Sequence, residues 1–158
     1  MLEEAGRGRF GEVFKAREKS SGKMYAIKSI LREDREDIRV CIQHALVERK
    51  ILSSVSHPYI CEFKCAFQDP LKVYFVLQFL PGGDLMKLIE KTEGKGLNKD
   101  VVMIYSAEIA LAINYLHEHH ILYRDLKPEN VMIDEDRHAR LTDFGLSKIV
   151  VSRRTFSL

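Results

Sequence analysis

The sequence predicts an α+β fold in two parts, a strand-rich first part with one helix and a helix-rich second part with a short hairpin. Two observations predict it. Up to residue 80 the apolar residues mostly recur in steps of two, whereas from residue 84 onward they mostly recur at helical spacing. The break at Pro81-Gly82-Gly83 separates the two patterns and indicates a hinge between two lobes.

The first part opens with a predicted hairpin that follows a group of glycines. Val13, Lys15 and Arg17 alternate with apolar neighbours, the turn-like Ser20-Ser21-Gly22 follows, and a second apolar run covers residues 24–30. This pattern predicts two antiparallel strands.

Helical spacing takes over between residues 37 and 55. Its apolar stripe consists of Ile38, Ile42, Ala45 and Leu52. Glu48 lies on the same inward stripe, so its carboxylate is expected to have a partner of opposite charge. His57-Pro58 is expected to end the helix.

Two more strands are predicted over residues 60–67 and 73–80, separated by the turn signal Gln68-Asp69-Pro70. A helical pattern starts at Asp84, and Asn98 can cap a further, long helix. The expected buried stripe of that helix is Val102, Tyr105, Ile109, Ile113 and Leu116. The short apolar segments 131–133 and 139–141 then predict a small hairpin around a charged turn.

Composition excludes several classes of protein. The 158 residues are 46% apolar and 30% charged, which is typical of one globular domain and not of fibrous or disordered chains. A net charge of +2 gives no case for nucleic acid or membrane binding. No apolar run approaches the roughly 18 residues that a membrane span needs.

Cysteine and histidine usage points to a cytoplasmic or nuclear protein. Cys41, Cys61 and Cys65 are odd in number and lack zinc-like spacing, so reduced thiols are favoured over a disulfide or metal site. His117 and His120 are neighbours on one face if helical, which leaves a metal site open, but a solvated helix end is favoured.

The stretch from Gly6 to Gly11 fits the pattern G-x-G-x-x-G, which also occurs in dinucleotide-binding turns and in ordinary loops. A dinucleotide fold needs a helix directly after the glycines, whereas a strand pattern follows here. The glycines are therefore expected to join two strands and to cover a nucleotide, because their backbone amides can approach phosphate oxygens closely. Lys28 lies within the second strand, where it either faces solvent or meets Glu48.

The strongest chemical signal is Tyr123-Arg124-Asp125-Leu126-Lys127-Pro128-Glu129-Asn130, followed by Asp143-Phe144-Gly145. Phosphoryl transfer needs hard oxygen ligands for Mg²⁺, and Asn130 and Asp143 can supply them. It also needs an acceptor for the proton of the attacking hydroxyl, for which Asp125 is the candidate. Lys127 can place its charge on the transferred phosphate.

This set of motifs resembles the eukaryotic protein kinase superfamily from Leu2 to Leu158. The lysine of Arg-Asp-Leu-Lys-Pro-Glu-Asn resembles the serine/threonine kinases. Tyr123, the segment 80–84 and the segment 141–148 resemble the AGC group. The resemblance implies a two-lobed kinase-like fold, with an N-lobe of antiparallel sheet plus one helix over residues 1–80. A mostly helical and incomplete C-lobe is implied over residues 81–158.

The resemblance also implies ATP and Mg²⁺ as cofactors and assigns roles to residues. Lys28, positioned by Glu48, would hold the α- and β-phosphates, Asp125 would be the catalytic base, and Lys127 would contact the phosphate. Asn130 and Asp143 would bind Mg²⁺. The implied nucleotide site consists of Gly6, Gly8, Gly11, Val13, Ala26, Lys28, Leu77, Gln78, Leu80, Asp84 and Met132. A column that links the lobes would consist of Leu52, Phe63, Tyr123 and Phe144. Ordinary core packing explains these apolar positions equally well.

Protein substrates and their recognition are implied in the same way. Asp84 and Glu129 match acidic positions that would face arginines upstream of the acceptor. Ser157 resembles an activating phosphorylation site for an upstream kinase, with Arg124 and Lys148 gripping the phosphate. The first strand is expected to be short, with Leu2 as its main anchor.

The sequence reaches Leu158 inside the implied activation segment, before the Ala-Pro-Glu motif and the peptide-docking helices of the family. Part of the apolar face of the long helix is therefore expected to be uncovered. Three interpretations follow: a partial sequence of an active kinase, a short product that binds Mg-ATP or a partner with little phosphotransfer, or a non-functional remnant.

Overall fold

A computed structural model describes residues 3–8, 11–31 and 36–150, with side chains described for residues 12–31 and 42–150. Its largest sheet is antiparallel and has five strands in the order β1-β2-β3-β5-β4. These strands are β1 (Glu3–Gly8), β2 (Gly11–Arg17), β3 (Met24–Leu31), β4 (Phe63–Gln68) and β5 (Lys72–Gln78). The predicted first hairpin is confirmed, since β2 pairs with β3 across the turn at residues 18–23.

Helix α1 (Glu36–Leu52) packs on this sheet. Ala45 on the helix joins Ile30 of β3 and Phe75 of β5 in a small apolar cluster, and all three are at least 94% buried. The helix presents Glu48 to the same side, so the predicted inward stripe is confirmed at Ala45, Glu48 and Leu52.

The predicted end of α1 at residue 55 is wrong by three residues. Ser54 ends the helical hydrogen bonding early, because its backbone N–H and its hydroxyl both donate to the carbonyl of Ile51. A short hydroxyl side chain that bonds its own backbone in this way competes with the helix.

The predicted start of β4 at residue 60 is also wrong. Ile60 forms a parallel bridge with Leu141 of the second part. The backbone bonds on either side are Leu141 N–H to the Tyr59 carbonyl and Cys61 N–H to the Leu141 carbonyl, both 2.9 Å. Residues 59–61, between α1 and β4, are therefore joined by backbone hydrogen bonds to the second part of the molecule.

The crossover to the second part requires glycine. Gly82 donates its N–H to the Ile133 carbonyl at 2.9 Å. A Cβ at Gly82 would lie 2.6 Å from Cβ of Ile133, and Gly83 has a positive φ of 75°. The predicted hinge is thus a backbone crossing in close contact with the strand that carries Ile133.

Over residues 81–150, the described portion of the second part has two helices, α2 (Leu85–Glu90) and α3 (Lys99–Glu118). Two small antiparallel sheets complete it, in the orders β6-β8-β9 and β10-β7. Their strands are β6 (Gly83–Asp84), β7 (Ile121–Leu122), β8 (Val131–Ile133), β9 (Ala139–Leu141) and β10 (Lys148–Ile149), and a 3₁₀ turn covers Pro128–Asn130. The predicted hairpin over 131–141 is confirmed as β8 and β9.

Helix α3 begins after Asn98, whose side-chain oxygen accepts from the Asp100 N–H as predicted. Its buried residues are Tyr105, Glu108, Ala112 and Leu116. The assignment of Val102 to the buried stripe is wrong, because its side chain is 46% exposed. The exposed apolar side chains of α3 are Val102, Met103, Ile104 and Leu111, in line with the expected uncovered face. In the part of the chain that the structure describes, none of the helices combines the length and apolarity needed to cross a membrane.

Candidate functional site

Lys28 lies in the middle of β3 and points at α1. Its Nζ is 2.9 Å from Oε1 and 2.7 Å from Oε2 of Glu48, and 3.4 Å from Oδ1 of Asp143. The side chain of Glu48 is 3% exposed and that of Lys28 is 13% exposed. The solvent-facing alternative for Lys28 is therefore wrong, and the lysine links the sheet, the helix and the second part of the molecule.

The charge state of Lys28 follows from these neighbours. Burial by itself would lower its pKa, but the carboxylates of Glu48 and Asp143 outweigh this and hold the pKa above its usual value. The ammonium is therefore charged at neutral pH, as a group that binds phosphate oxygens must be.

The glycine-rich segment forms the β1–β2 hairpin. Gly8 and Gly11 are paired across its end, and a register irregularity lies between Glu4 and Gly6. The residue after the glycines continues into strand β2 and not into a helix, which rules out the dinucleotide-binding alternative. Gly6, Gly8 and Gly11 thus join two strands at the edge of the sheet, as predicted.

The residues assigned to the adenine site lie on both parts of the molecule. Val13 is opposite Lys28 in the β2–β3 pairing, and Ala26 is opposite Leu77 in the β3–β5 pairing. Met132 lies on β8, where it is paired with Asp84 of β6.

The segment from Gln78 to Leu80 crosses between the two parts. The N–H of Gln78 donates to the Glu62 carbonyl at 2.9 Å, so that donor is already engaged within the protein. Leu80 is 5% exposed. Asp84 caps helix α2 by accepting from the Lys87 N–H at 2.8 Å, and its other oxygen pairs with the Lys87 ammonium.

Asp125 is held by two side chains that follow it in sequence. Lys127 Nζ lies 2.9 Å from Oδ2 of Asp125. Asn130 donates its Nδ2 both to Oδ2 at 2.8 Å and to the Asp125 carbonyl at 2.9 Å. The bond to Asp125 raises the pKa of Lys127. The amide nitrogen of Asn130 is thus engaged by Asp125, and its Oδ1 is the atom suited to a cation.

Asp143 is tied to Asn130 through the residue before it. Thr142 donates both its N–H (3.0 Å) and its hydroxyl (3.1 Å) to the Asn130 carbonyl. Asp143 has a positive φ of 53°, and its Oδ1 accepts from Lys28 and from the Gly145 N–H. The side chain is 34% exposed. A partly exposed carboxylate and a side-chain amide oxygen are the kinds of donor that suit Mg²⁺, so Asp143 and Asn130 fit that ion by their chemistry.

The predicted column of Leu52, Phe63, Tyr123 and Phe144 belongs to one apolar cluster. The rings of Tyr123 and Phe144 are edge-to-face with centroids 5.3 Å apart. The Tyr123 hydroxyl also donates to the Thr142 carbonyl at 2.5 Å, a contact that the sequence did not suggest. Tyr123 therefore packs the core and fixes the backbone next to Asp143.

Further residues that support the site were not predicted. Glu108 on α3 accepts from the Ala139 N–H at 2.7 Å and lies 2.5 Å from Nδ1 of His138. Asp134 accepts from the Arg140 Nε at 2.8 Å. These contacts hold the β8–β9 hairpin, which connects Asn130 to Asp143. A glutamate in an otherwise apolar helical stripe was the one signal in the sequence that could have identified Glu108.

Glu129 is exposed beside Asn130, and Arg124 donates its Nε to the Leu146 carbonyl at 2.7 Å. Leu2 and the predicted phosphorylation site at Ser157 lie outside the described residues.

Comparison with known proteins gives a consistent result. Residues 1–157 match the family described as the protein kinase domain. The chain is 43% identical over 148 residues to Protein kinase 2 of Dictyostelium discoideum, covering 94% of this chain and 30% of that protein. It is 38% identical to cAMP-dependent protein kinase type 3 of Saccharomyces cerevisiae, covering 95% of this chain and 37% of the relative. It is 42% identical to the putative ribosomal protein S6 kinase alpha-1 of Caenorhabditis elegans, covering 99% of this chain and 20% of the relative. The chain thus spans between a fifth and two fifths of the length of these relatives.

Proposed function

Because the chain belongs to the protein kinase family, with AGC-type serine/threonine kinases among its relatives, we propose that it binds Mg-ATP and phosphorylates serine or threonine hydroxyls of proteins. The observation that carries the proposal is the contact of Lys28 with both Glu48 and Asp143. This contact brings a charged phosphate-binding group next to a carboxylate that suits Mg²⁺, across the boundary of the two parts.

Each residue has a role that follows from its surroundings. Lys28 directs its ammonium at the α- and β-phosphates while Glu48 holds it from the far side. Asp125 orients the attacking hydroxyl and takes its proton, and Lys127 lies close enough to neutralise charge on the transferred group. Asn130 and Asp143 direct oxygens toward the Mg²⁺ ion, which when bound neutralises the triphosphate.

The test is Mg-ATP binding and phosphotransfer by the chain. We expect ATP with Mg²⁺ to raise the melting temperature of the wild type, and Asp143→Asn to abolish most of that rise. Asp136→Asn is the matched control, because Asp136 is an exposed acid in the β8–β9 turn. An equal rise in the wild type and in Asp143→Asn would reject the metal site. An absence of transfer to any serine or threonine peptide would reject the activity.

A second candidate function is a nucleotide-binding or interaction module with little phosphotransfer. The exposed apolar side chains Met103, Ile104 and Leu111 on α3 favour it, because such a face can bind another protein surface. Mg-ATP binding without transfer would support this candidate.

Substrate choice and regulation are further parts of the proposal. Asp84 pairs with a lysine side chain that is 72% exposed, so an arginine of a peptide can replace it. Asp84 and the exposed Glu129 then favour substrates with basic residues upstream of the acceptor. A peptide library without arginine enrichment at those positions would contradict this preference. We place an activating phosphorylation at Ser157 by an upstream kinase, which mass spectrometry of the protein from cells would detect.

The cellular location is proposed to be the cytoplasm, with the nucleus as the alternative. The free thiols of Cys61 and Cys65 support a reducing compartment. Imaging of the tagged protein would test it.

A further inference from the structure

Two residues next to the catalytic groups hold a backbone conformation that side chains disfavour. Arg124, which precedes Asp125, has a φ of 68°, and Asp143 has a φ of 53°. Residues with a Cβ lose free energy in this left-handed region, so the surrounding structure must hold them there.

Asp143 is held from one side by the bond of the Tyr123 hydroxyl to the carbonyl of Thr142. Arg124 is restrained by a different residue, Ser147. Ser147 donates its hydroxyl to the Tyr123 carbonyl at 3.0 Å. The Tyr123 carbonyl and the Arg124 nitrogen belong to the same planar peptide unit. The bond from Ser147 fixes the orientation of this plane and thereby restrains the φ of Arg124.

The position of Ser147 follows from the pairing of β7 with β10. Lys148 is opposite Leu122 and Ile149 is opposite Ile121. Ser147 and Tyr123 are the next opposed residues, just beyond the ladder. The serine hydroxyl thus adds one more hydrogen bond where the backbone pairing ends, at the point where the chain turns toward Asp125.

Burial makes the Ser147 bond a strong restraint. Ser147 is 4% exposed and Tyr123 is 2% exposed, so water does not readily replace either partner. A second link lies beside it, since Arg124 donates its Nε to the Leu146 carbonyl. Ser147 and Leu146 therefore restrain the backbone of Tyr123 and the side chain of Arg124, the two residues that precede Asp125.

We propose that Ser147 is a positioning residue for Asp125, which acts by holding the Tyr123–Arg124 peptide through its hydroxyl. The proposal rests on the proposed function, in which Asp125 takes the proton of the acceptor. In the described part of the chain, the hydroxyl of Ser147 bonds to the Tyr123 carbonyl, which belongs neither to Asp125 nor to the proposed nucleotide site. Its removal is therefore expected to slow phosphotransfer while leaving the binding of Mg-ATP intact.

The first measurement needs no activity. Hydrogen exchange of the peptide that covers residues 121–127 is compared between the wild type and Ser147→Ala in the absence of nucleotide. We expect exchange at Leu122, which is paired with Lys148 in the adjoining ladder, to accelerate at least about tenfold, because the opening of this local segment becomes easier. Ser106→Ala is the matched control, since Ser106 is exposed on α3. Unchanged exchange in Ser147→Ala overturns the proposal, whatever the activity of the wild type.

The second measurement separates positioning from a loss of stability. We expect Ser147→Ala to lower kcat about 5- to 20-fold with the affinity for Mg-ATP unchanged, since a small misplacement of a catalytic group is costly. In an Asp125→Asn background, Ser147→Ala should have no further effect on the residual rate. An equal loss in both backgrounds, or a matching loss of Mg-ATP affinity, indicates a merely structural role and overturns the proposal.

Ser147→Cys keeps a weak donor of similar size, and it should restore part of the rate. Ser147→Gly, which also lacks the hydroxyl, replaces Ser147→Ala in both measurements if the alanine variant gives no folded transition. A wild type that neither binds Mg-ATP nor transfers phosphate would reject the proposed function. The exchange measurement would still test whether the Ser147 hydroxyl restrains the Tyr123–Arg124 peptide.

Discussion

Substitutions at the buried pair of Lys28 and Glu48 are predicted to change the stability of the fold and the binding of Mg-ATP independently. The perturbation is Glu48→Leu, which removes the carboxylate and keeps a side chain of similar bulk. Among the residues that the structure describes, the Lys28 ammonium then has the Asp143 carboxylate nearby, at 3.4 Å. Breaking a buried ion pair by removing one partner costs about 3 to 5 kcal/mol because a buried charge is left uncompensated.

Two features of the site lower this figure. Asp143 supplies part of the missing negative charge, and the Lys28 side chain keeps 13% of its surface exposed. We therefore expect a loss of about 2 to 3 kcal/mol, just below the range for fully buried pairs. In a chain of this size such a loss lowers the melting temperature by about 5 to 10 °C.

The double variant Lys28→Met/Glu48→Leu provides the decisive comparison. It replaces both charges with apolar groups, so its stability should return to within about 1 kcal/mol of the wild type. Binding of Mg-ATP should not return, because Lys28 is the group proposed to contact the phosphates. Lys87→Met is the control, since Lys87 pairs with Asp84 at a largely exposed position and should lose under about 1 kcal/mol.

Thermal and urea unfolding, each with and without Mg-ATP, measure these quantities. A double variant as unstable as Glu48→Leu would refute the explanation by an uncompensated charge. A double variant that still binds Mg-ATP as the wild type does would remove Lys28 from the nucleotide site.

Three further predictions concern residues outside the catalytic groups. The contact with Glu108 raises the pKa of His138, so the protonated ring stabilises the fold below pH 6.5. This stabilisation is lost as the pH rises through the higher folded-state pKa. His138→Gln should therefore flatten the pH dependence of the melting temperature, and an unchanged profile would contradict this. Arg137 has a φ of 67°, so Arg137→Gly should raise the free energy of unfolding by about 0.5 to 1 kcal/mol, and a fall in urea midpoint would disprove the relief of strain. Burial raises the pKa of Cys61 to about 12 whereas Cys65 is exposed, so brief alkylation with peptide mapping should label Cys65 and spare Cys61, and equal labelling would count against the burial.

The sequence predicted best those features that need only periodicity and one strong motif. Alternation over β2 and β3 placed Lys28 in a strand, and helical spacing placed Glu48 on an inward face. The two were expected to meet because a buried carboxylate needs a cation, and they do. The chemistry of Asp125, Asn130 and Asp143 was likewise suggested by residue type and spacing, and the structure brings these three together.

The errors occurred where tertiary contacts override a local pattern. Val102 fits the apolar stripe of α3, yet it is 46% exposed, and the buried face of the helix includes Glu108, whose carboxylate accepts from the Ala139 N–H. Ile60 fits a strand beside Phe63, yet it pairs with Leu141 from the other part. Neither partner is visible in the local sequence, since each lies at least 31 residues away.

The role proposed for Ser147 could not be read from the sequence for a related reason. A serine after Asp-Phe-Gly-Leu has no periodicity and no distinctive chemistry of its own. Its role depends on the register of β7 with β10. These strands form a two-residue ladder, which is too short to produce a recognisable pattern in the sequence.

The bridge between Ile60 and Leu141 has a consequence for how the molecule can move. The sheet and α1 are joined to the second part by the chain crossing at Gly82 and again, through hydrogen bonds, at Ile60. A body attached at two separate points can swing about the line that joins them, but it cannot slide or twist freely. We therefore expect movement of Lys28 relative to Asp143 to be mainly a rotation about the line that joins Ile60 and Gly82. Such a rotation carries Lys28 and Glu48 together, so their mutual contact is preserved while their distance to Asp143 varies.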